Sequence, residues 1–143
     1  MSDLKKSGNR EAQLYGLKDL LHEYGYNFVG TYERPRGNVV EFSSDLGSLF
    51  VVIEGGVIIL DLILSLAENK CLRVSLNQAL WYSGFREVAQ SKTIEAQIQL
   101  FVSAIPVCCH HLLAGNEQYF DRKFCYEMSS EDCRRYLEYQ TKE

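Results

Sequence analysis

Two aliphatic segments, Ser48 to Glu54 and Val57 to Leu64, meet at the dipeptide Gly55-Gly56, and this juncture constrains the fold more than any other part of the chain. A Gly-Gly loop accepts the positive φ angles of a two-residue hairpin turn, so Glu54 and Val57 should form the first cross-strand pair. Counting outward pairs Val52 with Ile59 and Phe50 with Asp61. Side chains alternate across a strand, which places Leu49, Val51, Ile53, Ile58, Leu60, Leu62 and Leu64 on one face. That face is wholly aliphatic and must be core. Phe50, Val52, Glu54, Val57, Ile59, Asp61 and Ile63 share the other, where two acids interrupt the apolar residues. Such a face is either half covered by a helix or held for a partner. Glu54, Gly55, Gly56 and Asp61 also break a stretch already short of the roughly 20 apolar residues a membrane span needs.

The 143 residues are the size of one ordinary domain, 1–143, with the first ten polar and expected to fray. No positively charged segment followed by an apolar stretch opens the chain, so neither a signal peptide nor an anchor is expected, and the cytoplasm is the expected location. The five cysteines, Cys71, Cys108, Cys109, Cys125 and Cys133, are odd in number and read as reduced, buried thiols. The net charge of −4 is unevenly spread. Lys70 is the only base between positions 38 and 70, against Glu41, Asp45, Glu54, Asp61 and Glu68. An acidic strand region repels phosphate backbones and favours a basic partner, which argues against nucleic-acid binding.

Ahead of the hairpin, Leu14, Leu17, Leu21 and Tyr24 recur at helical spacing from Glu11 to Tyr24, and Gly25 ends the helix. Tyr26 to Tyr32 and Asn38 to Ser43 read as strands around a Pro35-containing turn. Four strands joined by turns this short must run antiparallel, as a meander. Three helices follow. Ser75 with Gln78 forms a capping box for Leu76 to Tyr82. Thr93 to Leu113 carries the stripe Ile94, Ile98, Phe101, Val102, Ile105, Cys109 and Leu112, with Pro106 expected to kink or break it. Ser129 with Asp132 opens a last helix to Gln140, striped by Cys133, Tyr136 and Leu137. The expected fold is α+β: an N-terminal helix, a four-stranded antiparallel meander, and three C-terminal helices packed on one sheet face.

Few residues suggest chemistry. In Cys108-Cys109-His110-His111, adjacent helical residues point about 100° apart, so only Cys108 and His111 share a face and no zinc motif is complete. A Cys-His nucleophile needs an electropositive, partly exposed thiol, whereas this helix is mostly apolar. Gly55-Gly56 leads into a strand, so no helix N-terminus waits there for an anion. No catalytic residue, metal or cofactor is expected. Arg34 and Arg36, flanking Pro35, read as a solvated turn in preference to a hook for an anionic ligand. Trp81, Tyr82 and Phe85 read equally as an interface hot spot or as a plug beneath a short helix.

The exit of the long helix, from His110-His111-Leu112-Leu113-Ala114-Gly115-Asn116 to Tyr119-Phe120-Asp121, resembles small bacterial immunity proteins encoded beside polymorphic or contact-dependent toxins. The strand Asn38-Val39-Val40-Glu41-Phe42, following a tyrosine-rich strand, is similar in style. The resemblance implies a cytosolic inhibitor that binds a cognate toxin domain. Glu41, Glu54 and Asp61, with Phe50 and Ile59 between them, are the expected partner-binding residues, and the partner is expected to be basic. Two other readings are a small-molecule or enzymatic pocket between the sheet and the long helix near Cys108 to His111, and a homodimer formed through an exposed strand edge.

Overall fold

The computed structural model describes residues 14–89 and 93–142, so the expected fraying of the first ten residues and the first turn of the N-terminal helix lie outside the described residues. The protein is α+β. Helix α1 (Tyr15–Glu23) precedes strands β1 (Asn27–Arg34), β2 (Gly37–Ser43), β3 (Gly47–Glu54), β4 (Val57–Ser65) and β5 (Cys71–Ser75). Helices α2 (Leu76–Tyr82), α3 (Ile94–Cys108) and α4 (His110–Leu113) follow, then β6 (Cys125–Met128) and α5 (Ser130–Thr141). The strands form one six-stranded antiparallel sheet in sequence order.

The hairpin register matches the alternation argument: Glu54 opposes Val57, Val52 opposes Ile59 and Phe50 opposes Asp61. Gly55 and Gly56 turn the chain at φ 59° and 80°, left-handed values that a β-carbon would penalise. Two strands exceed the expected four. β5 pairs with the far half of β4, from Asp61 with Ser75 to Ser65 with Cys71, and β6 pairs with β5. The near half of β4 is sealed by side chains instead. Asn77 accepts from the Leu60 amide at 2.8 Å and donates to the Ile58 carbonyl at 2.9 Å. Gln97 accepts from the Ile58 amide at 2.7 Å and donates to the Gly56 carbonyl at 2.8 Å. Two amides thus do the work of a missing strand, which explains why Gln97 is buried in an apolar helix.

The aliphatic face lies under α1, α2, α3 and α4. Leu49, Val51, Ile53, Ile58, Leu60, Leu62 and Leu64 pack there with Leu17, Leu21, Leu76, Leu80, Phe101, Ile105 and Leu113. Ser75 caps α2 by accepting from the Gln78 amide, but the capping box is only half made: the Ser75 amide donates to the Phe124 carbonyl and Gln78 Oε1 accepts from the Tyr126 hydroxyl. Pro106 sits inside α3, and the helical path is interrupted three residues later at Cys109, where φ is −114° and ψ 4°. The third C-terminal helix departs from the expected layering. α5 lies on the opposite face, where Cys133, Tyr136 and Leu137 join Val39, Phe50 and Ile63 in a second, smaller core. The cause is β6: one more antiparallel strand carries the chain past β5, and α5 returns across the uncovered side. No helix among the described residues is long and apolar enough to cross a membrane.

Candidate protein-binding face

The mixed face divides into a covered part and an open part, and α5 draws the line between them. Ser129 caps α5 by accepting from the Asp132 amide, and the stripe Cys133, Tyr136, Leu137 and Gln140 turns towards the sheet. At its start the helix is tied to β5 by a disulfide between Cys71 and Cys133, whose Cα atoms are 6.0 Å apart. At its end Arg34 on β1 donates to the Tyr139 carbonyl and to Gln140 Oε1, with its guanidinium 4.7 Å from the Tyr139 ring centre. The disulfide corrects the expectation of five reduced thiols. Cys108, Cys109 and Cys125 remain free.

Asp61 lies under the middle of α5 and is 3% exposed. Its Oδ2 accepts from the Tyr136 hydroxyl at 2.6 Å and from Arg73 Nη2 at 3.0 Å. Arg73 also lies 5.1 Å from the Tyr136 ring centre. Burial, followed by the neighbouring Asp61 charge, pushes the Tyr136 hydroxyl well above the ordinary tyrosine range and keeps it a donor. Phe50, fully buried, meets the Tyr136 ring edge-on at 6.1 Å. Two of the five residues expected at a partner surface are therefore covered by this chain's own helix. Asp61 and Phe50 anchor α5, with one carboxylate oxygen of Asp61 receiving both a phenol and a guanidinium from this chain.

Glu41 is half-buried and accepts from the Tyr32 hydroxyl at 2.8 Å. It stands beside α5 in a shallow groove shared with Ser48, Leu137 and Glu138. Glu54 and Ile59 lie at the hairpin end, and there the face is open. Glu54 is exposed, Val57 is 52% exposed and Ile59 39%. Val57 is directly opposite Glu54, and Ile59 opposite the half-buried Val52. This patch combines apolar area with one exposed acidic side chain on a two-stranded platform. Val57 is not among the residues expected at the surface, although alternation along the strand places it on the mixed face next to Glu54.

The aromatic group on α2 splits. Phe85 packs against the main core as a plug, whereas Trp81 and Tyr82 stay exposed. Arg86 lies 3.6 Å from the Trp81 ring centre and Lys123 5.5 Å from that of Tyr82. Among the described residues, no three His, Cys, Asp or Glu side chains converge closely enough to hold a metal ion. His110 accepts or shares a hydrogen bond with the Tyr24 hydroxyl at 3.2 Å, and His111 stacks on Tyr119 at 3.8 Å. No protein-family model, curated protein or solved structure matches the chain.

Proposed function

We propose that the chain is a non-enzymatic binding protein, an immunity protein that neutralises a cognate bacterial toxin domain through the open hairpin end of its sheet. The observation that carries this reading is the exposure of Val57 and Ile59 beside Glu54, on a face whose remainder is covered by α5. Apolar area at the centre of a patch excludes water from a partner, and the acid selects a basic one. Asp45 and Glu68, both exposed, stand at the opposite end of β3 and β4, so Glu54 is the acid that the hairpin end itself supplies. A toxin domain that grips RNA or DNA is basic and would meet this surface with complementary charge. The class of partner rests on the resemblance of the helix exit to immunity proteins, and the placement of the surface rests on the exposed residues.

The test is co-expression with the product of the adjoining reading frame, followed by titration calorimetry of the purified pair. Growth rescue and a 1:1 complex are expected. Replacing Glu54 and Ile59 together by Lys should weaken binding by roughly 100-fold or more, the loss of one apolar anchor and one complementary charge. Both positions are exposed, so the variant should melt like the parent. Unchanged affinity in a folded E54K/I59K variant refutes the surface, and absence of any complex refutes the class.

A further inference from the structure

Two neighbouring thiols lie together where the helical path is interrupted. In a regular α-helix adjacent side chains diverge by about 100°. Cys109 leaves that path, and its Sγ lies 3.4 Å from Cys108 Sγ. The two have unequal access. Cys108 is half-buried next to Val107, which is 73% exposed, and Cys109 is fully buried in the main core. Cys108 is the more accessible of the two, Cys109 is enclosed by the core, and neither belongs to the disulfide that holds α5.

We propose that Cys108 and Cys109 form a redox-active vicinal dithiol whose co-reactant is a low-molecular-weight disulfide of the glutathione kind. The Cys108 thiolate attacks one sulfur of the incoming disulfide, forming a mixed disulfide on Cys108 and releasing one thiolate, which takes up a proton. Cys109 then attacks the Cys108 sulfur, and its proton passes to the departing small thiolate. The Cys108–Cys109 bond forms, the mixed disulfide breaks, and a second small thiol leaves. The two protein thiols lose two electrons and two protons, and the co-reactant gains both.

The electrostatics support this division of labour. The hydrogen bond from the Cys109 thiol holds Cys108 below the ordinary thiol range despite its burial, and the Ser83 hydroxyl adds a second. The same bond, together with burial, pushes Cys109 strongly up, so it stays protonated until a mixed disulfide replaces the neighbouring thiolate. Adjacent Cα atoms are only about 3.8 Å apart, closer than the usual disulfide range of about 4.4–6.8 Å, so the closed ring is strained and readily reduced. Such a pair is a reversible sensor rather than a staple.

The experiment uses the full chain with Cys71–Cys133 intact, titrated with oxidised glutathione and read by intact mass and peptide mapping. The expected product has lost two hydrogens within the peptide carrying Cys108 and Cys109, and excess reduced glutathione reverses it. Cys109→Ser should stall with one glutathione on Cys108, whereas Cys108→Ser should react at least about tenfold more slowly, its remaining thiol being shielded. Iodoacetamide labelling of Cys108 should rise with pH at a midpoint below the value of about 8.5 for a free thiol. Should either variant fold poorly, phenylarsine oxide on the parent protein decides, because it bridges two thiols and must then block both from alkylation. A stable glutathione adduct on the parent without ring closure, or no protection by phenylarsine oxide, overturns the proposal.

Discussion

Asp61 gives the sharpest test of how α5 is held. It is 3% exposed, and a single oxygen, Oδ2, receives both the Tyr136 hydroxyl at 2.6 Å and Arg73 at 3.0 Å. Asp61→Ala strands the Tyr136 hydroxyl against the sheet. Breaking a buried pair by removing one partner costs about 3–5 kcal/mol. The Arg73 side chain is 40% exposed and can turn to water, which places the loss near the lower end, about 3 kcal/mol. Asp61 Oδ1 is buried without a hydrogen-bond partner, so its removal returns part of the carboxylate's desolvation and works in the same direction. Asp61→Asn keeps an acceptor for Tyr136 and should lose roughly half as much. Urea unfolding at neutral pH, with the disulfide intact, would read the Ala loss as a midpoint shift of about 1.5 M for a slope near 2 kcal/mol/M. A double-mutant cycle with Tyr136→Phe isolates the contact. A hydrogen bond to a charged group predicts a coupling of about 1.5–3 kcal/mol. Additivity of the two substitutions within about 0.5 kcal/mol, or an Asp61→Ala loss below about 1 kcal/mol, would refute the reasoning. If the hairpin end is the proposed binding surface, Asp61→Asn should leave partner affinity unchanged, in contrast with the hairpin-end variant, because Asp61 lies beneath α5.

Two further outcomes follow from the same geometry. Cys133→Ser opens a closure spanning a sequence separation of 62, for which loop entropy gives about 4 kcal/mol, and hydrogen exchange should accelerate first in α5, where the main core has no stake. Gln97→Leu strands the buried Ile58 amide, a loss of about 1–3 kcal/mol, while the Gly56 carbonyl at the exposed turn can be met by water. Thermal melts combined with exchange at the Ile58 amide check the latter, and a Leu variant as stable as the parent would mean that the β4 edge is sealed by something other than the two amides.

The hairpin was legible because two independent signals agreed on it: Gly55-Gly56 set the register, and the aliphatic alternation allowed only one face to be core. β5 and β6 lacked both signals. Cys71–Ser75 is five residues with Arg73 at its centre, and the turn before it is made by Glu68 at φ 63° instead of by a glycine. Cys125–Met128 is four residues whose only pairing is to β5, so its strand character comes from tertiary context. Missing those strands sent the last helix to the wrong side and left Asp61 and Phe50 looking available. The corrective signal was present in the amphipathic stripes. The helices before β6 already saturate the aliphatic face, so the stripe Cys133, Tyr136 and Leu137 could be buried only against the mixed one. Direction and width then explain why the cover is incomplete. The 12 residues of α5 span about 18 Å, while six strands at about 4.8 Å spacing make a sheet about 24 Å across, and the nine residues of β4 run about 30 Å. A helix roughly 10 Å wide, pinned to Cys71 at one end and Arg34 at the other, cannot also roof the hairpin tip. The exposure of Val57 and Ile59 is thus a consequence of the line α5 takes from β5 to β1, which passes over Asp61 and Phe50 and leaves the β3–β4 hairpin end to one side.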